Sequence, residues 1–302
     1  MIAGPGMAAA ASRLPLVWVN GERLDHAATH VSVFDRGFSL ADGVFETMRV
    51  RHGVVFRLDR HLARLAHGLD ALDIPAVPAI PAWIADAERA ASGESALRLT
   101  VTRGVGAAGV VPPPDMRPTV VLTLGPMLTY PASIYEAGLT AHVASGRRDG
   151  RSRTAGLKTL AYAEGIAAVI EARRAGADEA LFLDVDGHCS EASASNLFVW
   201  TGDLLLTPPR TCGALPGVTR AAALELAEAI GIPSAERAFG PEELKAAEEA
   251  FLTSSLRGVA PLVRVGAHAV GAGTPGPITR RLADAYGALV DRECASITQR
   301  IR

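Results

Sequence analysis

The chain has 302 residues, with 30 Lys and Arg against 32 Asp and Glu, a formal net charge of −2 at pH 7. That balance, with no basic stripe along the sequence, speaks against a nucleic-acid or membrane-surface partner. Hydrophobic residues make up 49% and charged residues 21%, an ordinary globular mix that can fill one large core or two moderate ones, and no stretch is long and apolar enough to span a bilayer.

Met1 to Ser12 is small and apolar with no basic segment before it, and residues 1–15 read as a disordered leader rather than a signal peptide; Met7 is a second candidate start. From Leu16, LVWVNGERL reads as a strand, an Asn20-Gly21 turn and a return strand. Alternation over 44–50 and 54–58 predicts two more strands, with His52-Gly53 between them. Asp59 is the expected cap of a helix whose apolar face carries Leu62, Leu65, Leu69 and Leu72, with Ile74-Pro75 ending it. A helix over 81–91, the strand ALRLTVTR, a loop to Pro114 and a strand over 119–124 complete a small α+β domain, 16–124. Residues 125–134 are turn formers and are read as a linker.

The second domain, 135–302, opens with a strand over 139–144. Arg147, Arg148, Arg151 and Arg153 follow. They read as a solvated loop, or as a mobile loop near an anionic substrate, since they lead into Lys158. Lys158 sits where loop becomes helix. That helix runs through Ile166, Ala167, Val169 and Ile170 and is closed by Gly176. Residues 180–185 have a buried-strand pattern, Asp186-Gly187 signals a hairpin, and Ser190, Glu191 and Ala192 lead to a strand over 196–200. A strand over 204–207 stops at Pro208-Pro209. A glycine-started helix in LPGVTRAAALELAEAIG ends at Gly231. A short helix over 241–247 has Pro241 in its first turn. A strand over 250–254 and an amphipathic helix over 278–291 close the chain.

One lysine and one carboxylate, Lys158 and Glu191, thus lie on neighbouring elements of one local unit. A lysine amine can form a Schiff base with a carbonyl cofactor, and an anionic carboxylate can keep a pyridine nitrogen protonated so that the ring acts as an electron sink. Taken alone, such a pair is more often two solvated surface groups. Thr219, beside Gly217 at a helix start, offers a hydroxyl to a phosphate or is only a cap. Three widely spaced cysteines, Cys189, Cys212 and Cys294, form no disulfide framework and no metal pattern, which favours a reducing cytoplasm. His188 and Glu191 lack a third ligand, and His61 and His67 are too far apart on their helix, so no metal site is read here. The glycine run 104–109 resembles a dinucleotide fingerprint, but Val110, Val111 and three prolines follow instead of a helix. It is better read as a flexible loop. No nucleophile-elbow serine is present.

The segments LKTLAYAEGIAAVIEARRAGADEALFL and CSEASASNLF resemble the class IV aminotransferases, the fold-type IV pyridoxal 5'-phosphate enzymes. That family includes branched-chain and D-amino acid aminotransferases and aminodeoxychorismate lyases. The resemblance runs from about Val17 to Arg264. It implies a fold-type IV α/β (α+β) protein: a small N-terminal α/β domain plus a larger C-terminal domain with a mixed sheet or barrel core. It implies that Lys158 carries the cofactor, that Glu191 meets the ring nitrogen, and that Arg64, Val218 (through its backbone), Thr219, Ser254 and Ser255 serve the phosphate side. Ala161 stands where many relatives have asparagine, and Tyr162 then takes over a hydrogen bond.

The resemblance also places Phe45 and Arg49 (in FETMRV) and Arg98 (in ALRLTV) on the substrate side, where the sequence alone reads exposed strand arginines. Ala108-Gly109-Val110 replaces the Arg-x-His pair of D-amino acid enzymes. TRGVGAAG and TSSLRGVAPL are closer to the lyases. The expectation is transamination between a small branched-chain-like amino acid and 2-oxoglutarate, with 4-amino-4-deoxychorismate lysis as the alternative. A catalytically silent binding protein is a third possibility, disfavoured because both Lys158 and Glu191 are present. A homodimer is expected from the family.

Overall fold

The structure, a computed structural model, describes residues 15–107 and 109–295. The expected leader, except Pro15, lies outside the described residues, as does Ala108. The chain divides into two compact units, one ending at Pro131 and taking in the residues from Glu293, the other running Ala132–Arg292.

The first unit is one antiparallel six-stranded sheet with its two longer helices packed on one face. In chain order its elements are β1 (Leu16–Val19), β2 (Glu22–Leu24), α1 (Arg36–Leu40), β3 (Gly43–Arg51), β4 (Val54–Val55), α2 (Leu58–Ala71), α3 (Ile80–Ala90), β5 (Glu94–Thr102) and β6 (Thr119–Pro126). The strand order is β2-β1-β6-β5-β3-β4. Asn20 and Gly21 take φ of 50° and 86°, and His52 and Gly53 take 53° and 75°. Both pairs thus supply the two left-handed residues that a two-residue hairpin needs to match strand twist. β4 is shorter than the strand expected over 54–58. Arg57 turns left-handed at φ 53° and becomes the cap residue of α2, so Asp59 is in the first helical turn and is not the cap. There it still complements the helix dipole. Met48, Leu97, Leu99 and Leu122 are fully buried beneath Leu65, Leu69 and Ile84. Phe45, Arg49 and Arg98 project from the opposite face, because side chains alternate along a strand.

The second unit contains α4 (Ser133–Glu136), β7 (Leu139–Arg148), α5 (Ala163–Arg174), β8 (Glu179–Asp184), β9 (Cys189–Ala192), β10 (Asn196–Trp200), β11 (Leu205–Thr207), α6 (Val218–Ala229), β12 (Ser234–Glu236), α7 (Pro241–Ala246), β13 (Glu249–Ser254), β14 (Gly258–Val265), β15 (His268–Ala269) and α8 (Pro277–Glu293). Its strands run β10-β13-β14-β7-β8-β9, and β9 pairs back to β10, which closes a six-stranded barrel. The expected mixed sheet or barrel core is therefore present. β7 pairs parallel with β8, and α5 is the crossover that such a pair requires. All six residues of β8 are buried.

One expectation is corrected here, and two features go beyond what was expected. β7 extends to Arg148 instead of ending near 144, so Arg147 and Arg148 are strand residues, not loop residues. The buried face of α5 is Gly165, Ala168 and Ala172, whereas Ile166 and Ile170 are 58% and 46% exposed. Small residues let this helix lie close against Ala144, Ala180 and Phe182. β14 has no counterpart among the expected elements, and it carries Pro261, a residue unusual in a central strand. It is accommodated because pairing of β14 to β7 begins only at Leu262, one residue past the proline.

Among the described residues no helix is long and apolar enough to cross a membrane. Cys189, Cys212 and Cys294 are free and buried. Burial pushes the first two thiols up to about 12 and Cys294 to about 11.

Phe198 and Phe251 face each other across β10 and β13, fully buried, with ring centroids 4.8 Å apart and planes within 7°. Phe251→Ala is expected to lower unfolding free energy by about 3–5 kcal/mol, read from the denaturant midpoint.

Candidate active site

Lys158 lies on the loop before α5, half-buried, and its Nζ is 3.4 Å from the Tyr162 hydroxyl. Tyr162 is the residue on which α5 begins. A Cβ at Gly165 would sit 3.8 Å from the Tyr162 ring and 3.5 Å from the Ser193 carbonyl. The start of α5 therefore lies directly on the turn after β9.

Glu191 is in β9, opposite Asn196 of β10. Its Oε2 accepts the Leu215 N–H at 2.9 Å and faces Asn196 Nδ2 at 3.5 Å. Asn196 also donates to the Leu215 carbonyl at 2.8 Å, so one side chain fixes both the carboxylate and the segment that holds it. On the other side, Arg148 Nε is 3.6 Å from Glu191 Oε1. The Arg148 guanidinium also bonds Glu164, in the first turn of α5, at 2.9 Å and lies 4.0 Å from the Phe182 ring centroid. Stacking on the ring fixes the direction of the guanidinium. Lys158 and Glu191 are thus joined within one unit through Tyr162, the first turn of α5 and Arg148. Sequence reasoning missed Arg148 because it assigned the basic run to a loop. The strand's extra length was the missing signal.

Val218 and Thr219 form the first turn of α6 and are 6% and 2% exposed. Gly217 is the cap residue and offers no side-chain cap to the first N–H groups. A Cβ at Gly217 would fall 2.0 Å from Asn196 Oδ1, so only glycine allows α6 to begin here. The adjacent Arg220 is turned away, bonding Pro208 O at 3.0 Å and Glu236 at 2.8 Å. Ser254 ends β13 and Ser255 follows it in the turn to β14. That turn is anchored by Arg257, whose Nη1 is 3.3 Å from Glu179 Oε2 and whose carbonyl accepts the Tyr135 hydroxyl at 2.8 Å. Glu179 in turn accepts from the Ser193 hydroxyl. The Thr253 hydroxyl, across from Asn196, is buried with no hydrogen-bond partner.

This donor set fits pyridoxal phosphate: an amine beside a phenol, a carboxylate held by an N–H and an arginine, and an uncapped helix start with hydroxyls for an anion.

In the first unit, Arg64 is partly buried and its Nε and Nη2 bond the two oxygens of Glu46 at 2.8 and 2.6 Å. His61 Nδ1 is 2.7 Å from the same carboxylate. On the opposite face of the sheet the Arg98 guanidinium lies 3.8 Å from the Phe45 ring centroid, and Arg49 Nε is 3.8 Å from Glu94. The glycine loop opens no helix. Arg36 instead ties it down, donating to the carbonyls of Gly109 at 2.7 Å and Val110 at 3.1 Å.

The family described as amino-transferase class IV matches residues 43–265. A putative branched-chain-amino-acid aminotransferase of Methanocaldococcus jannaschii is 32% identical over 275 residues, covering 89% of this chain and 94% of that one. The Escherichia coli branched-chain amino acid aminotransferase structure superposes with a TM-score of 0.88 at 30% identity, over 94% of this chain and 97% of that chain. A 4-amino-4-deoxychorismate lyase from Pseudomonas aeruginosa does so with a TM-score of 0.82 at 36% identity, over 91% and 98%. These likenesses show the fold-type IV architecture.

Burial works to raise the Glu46 carboxyl, but Arg64 and His61 outweigh it and hold the group below the usual carboxylate range. The stability this contributes is fully present above about pH 4.5 and is lost as pH falls through the depressed folded value. Glu46→Gln, which removes the carboxylate charge that Arg64 and His61 face, is expected to lower stability at pH 7 by about 3–5 kcal/mol. In acid titrations the wild-type advantage should persist down to about pH 4.5 and vanish below it.

Proposed function

We propose, from the premise that this chain belongs to the class IV aminotransferases and is a pyridoxal-phosphate-dependent enzyme of that family, that it moves an amino group between a small, branched-chain-like amino acid and 2-oxoglutarate, with Lys158 carrying the cofactor. The observation that carries this reading is the contact chain in the barrel unit that joins the Lys158 amine to the Glu191 carboxylate. The branched-chain relatives, matched over nearly their whole length, supply the substrate class.

Bound in the barrel unit, pyridoxal phosphate supplies an electron-withdrawing ring that stabilises negative charge at the substrate carbon. In this proposal the Lys158 amine takes the proton from that carbon and returns one. The Tyr162 hydroxyl, 3.4 Å from Nζ, orients the amine. Glu191, held beside Arg148, would accept a hydrogen bond from the ring nitrogen. The first turn of α6, with Val218 and Thr219, and the turn carrying Ser254 and Ser255 supply N–H and hydroxyl donors to the phosphate. Arg64 is the further phosphate candidate from the family pattern, and Phe45, Arg49 and Arg98 are assigned to substrate recognition. The free, buried cysteines support a reducing compartment.

The lyase reading is kept because the segments TRGVGAAG and TSSLRGVAPL resemble the lyases, and because identity to the Pseudomonas aeruginosa lyase structure is 36%, against 30% for the Escherichia coli transaminase structure. The deciding experiment offers the purified protein a panel of amino donors with 2-oxoglutarate, beside 4-amino-4-deoxychorismate. Glutamate and a branched 2-oxo acid are the expected products. Release of 4-aminobenzoate and pyruvate, with no oxo acid from any donor, rejects transamination. Lys158→Ala is expected to cut turnover by at least about 10²-fold and to leave no chromophore fixed to the chain after borohydride.

A homodimer is the assembly we assign. In the first unit, Val33, Phe34 and Phe38 are 66%, 68% and 74% exposed, with Val31 and Leu40 beside them at 44% and 47%. Such a concentration of exposed apolar side chains over 31–40 is characteristic of an association surface. Light scattering should give twice the chain mass, falling toward one chain mass in a Phe34→Asp, Phe38→Asp double variant.

A further inference from the structure

Three donor side chains of different chemistry converge at the β8–β9 hairpin, outside the contact chain from Lys158 to Glu191. Asp184 ends β8, His188 immediately precedes β9, and Cys212 ends the short helical turn Arg210–Cys212. One ligand atom from each lies within 4.8 Å of the other two. Sequence spacing pointed elsewhere. It paired His188 with Glu191 and found no third ligand, because Cys212 is brought in from beyond β11.

The local geometry is suited to a small cation. Asp184 Oδ2 and His188 Nδ1 are 3.3 Å apart. That is the edge of a tetrahedron whose centre lies about 2.0–2.1 Å from oxygen and nitrogen donors. The other carboxylate oxygen, Oδ1, accepts the N–H groups of Asp186 at 3.0 Å and His188 at 2.8 Å. The hairpin backbone therefore aims Oδ2 without help from a ligand. Cys212 is held just as firmly. Its N–H donates to Pro209 O at 3.0 Å, and the neighbouring Thr211 carbonyl packs so tightly on Gly150 that a Cβ there would lie 1.9 Å from it. Asp184 and Cys212 are buried, whereas the His188 side chain is 45% exposed. Water thus has an approach on the histidine side.

The geometry points to a binding site for a borderline divalent cation of the zinc type, ligated by the Asp184 carboxylate, the His188 imidazole and the Cys212 thiolate, with water in the fourth position. A mixed oxygen, nitrogen and sulfur set selects such an ion over Mg²⁺ or Ca²⁺, which require mostly oxygen. On binding, the Cys212 S–H bond breaks, its electron pair becomes the sulfur–metal bond, and the proton leaves to water; no oxidation state changes. His188 binds through the neutral Nδ1 lone pair and keeps its proton on Nε2.

The site has a structural consequence. Asp184 is the strand partner of Arg148, and Cys212 is three residues before Leu215, whose N–H holds Glu191. A cation there would tie the segment carrying Leu215 to the hairpin carrying Glu191.

The test uses the full-length, cofactor-loaded protein, stripped with a chelator under reducing conditions and titrated with Co²⁺. One Co²⁺ per chain is expected, with the visible ligand-field absorption of a tetrahedral thiolate site, displaced by Zn²⁺. Zn²⁺ alone should raise Tm. Cys212→Ser and His188→Ala should each weaken binding at least about tenfold. His188 is half-exposed, so His188→Ala tests the site without a folding defect. Cys294→Ser, a buried thiol of the other unit, should leave stoichiometry and absorption unchanged. Absence of the absorption in the wild type, its survival in both ligand variants, or its loss in Cys294→Ser would each overturn the proposal.

Discussion

The pairing of Asn196 with Glu191 is the contact on which the second unit turns. It is the one register pair that joins β9 to β10, so it closes the barrel. The same asparagine reaches the Leu215 carbonyl, and the Leu215 N–H reaches the glutamate. Barrel closure, carboxylate orientation and the approach to α6 are thus one hydrogen-bonded arrangement. A buried carboxylate with fewer partners would be costly, since an unpaired charge loses its hydration without compensation. The absence of a Cβ at Gly217 is what lets the helix start reach this point.

The same logic repeats at several buried or largely buried acids. Glu191 has Arg148, Glu179 has Arg257, Glu46 has Arg64, and Asp42 has Arg36 and Arg103. In each case the arginine is itself mostly buried, so neither charge is left alone. Such pairs add little net stability beyond an apolar replacement, but removing one member is expensive. They act here as positional locks. Arg257 holds the turn that carries Ser254 and Ser255, and Arg148 holds both the start of α5 and Glu191. Each lock joins elements that are distant in sequence, and this keeps a set of donors on separate strands and helices in fixed relation.

Helical geometry sets a further constraint. A run of apolar residues along α5 looks like a core face, yet Ile166 and Ile170 are exposed and the small residues Gly165, Ala168 and Ala172 are inside. Close approach to β7 and β8 requires small side chains, and this outweighs hydrophobicity in deciding which face is buried. It is also what brings Glu164 within reach of Arg148 on β7.

Taken by itself, the sequence determined what depends on a few adjacent residues. The hairpins at Asn20-Gly21, His52-Gly53 and Asp186-Gly187, the extents of α3, α6 and α8, and the class IV motifs around Lys158 and Glu191 are all legible there, because turn geometry, helix periodicity and family motifs are local. Only the tertiary structure decided that Arg148 stands against Glu191, that Arg64 is locked to Glu46, that Pro261 lies within a barrel strand, and that Cys212 meets Asp184 and His188. The Leu215–Glu191 bond spans 24 residues and the Arg257–Glu179 pair spans 78. Such partners are chosen by strand register and barrel closure, and no short window of residues carries that information.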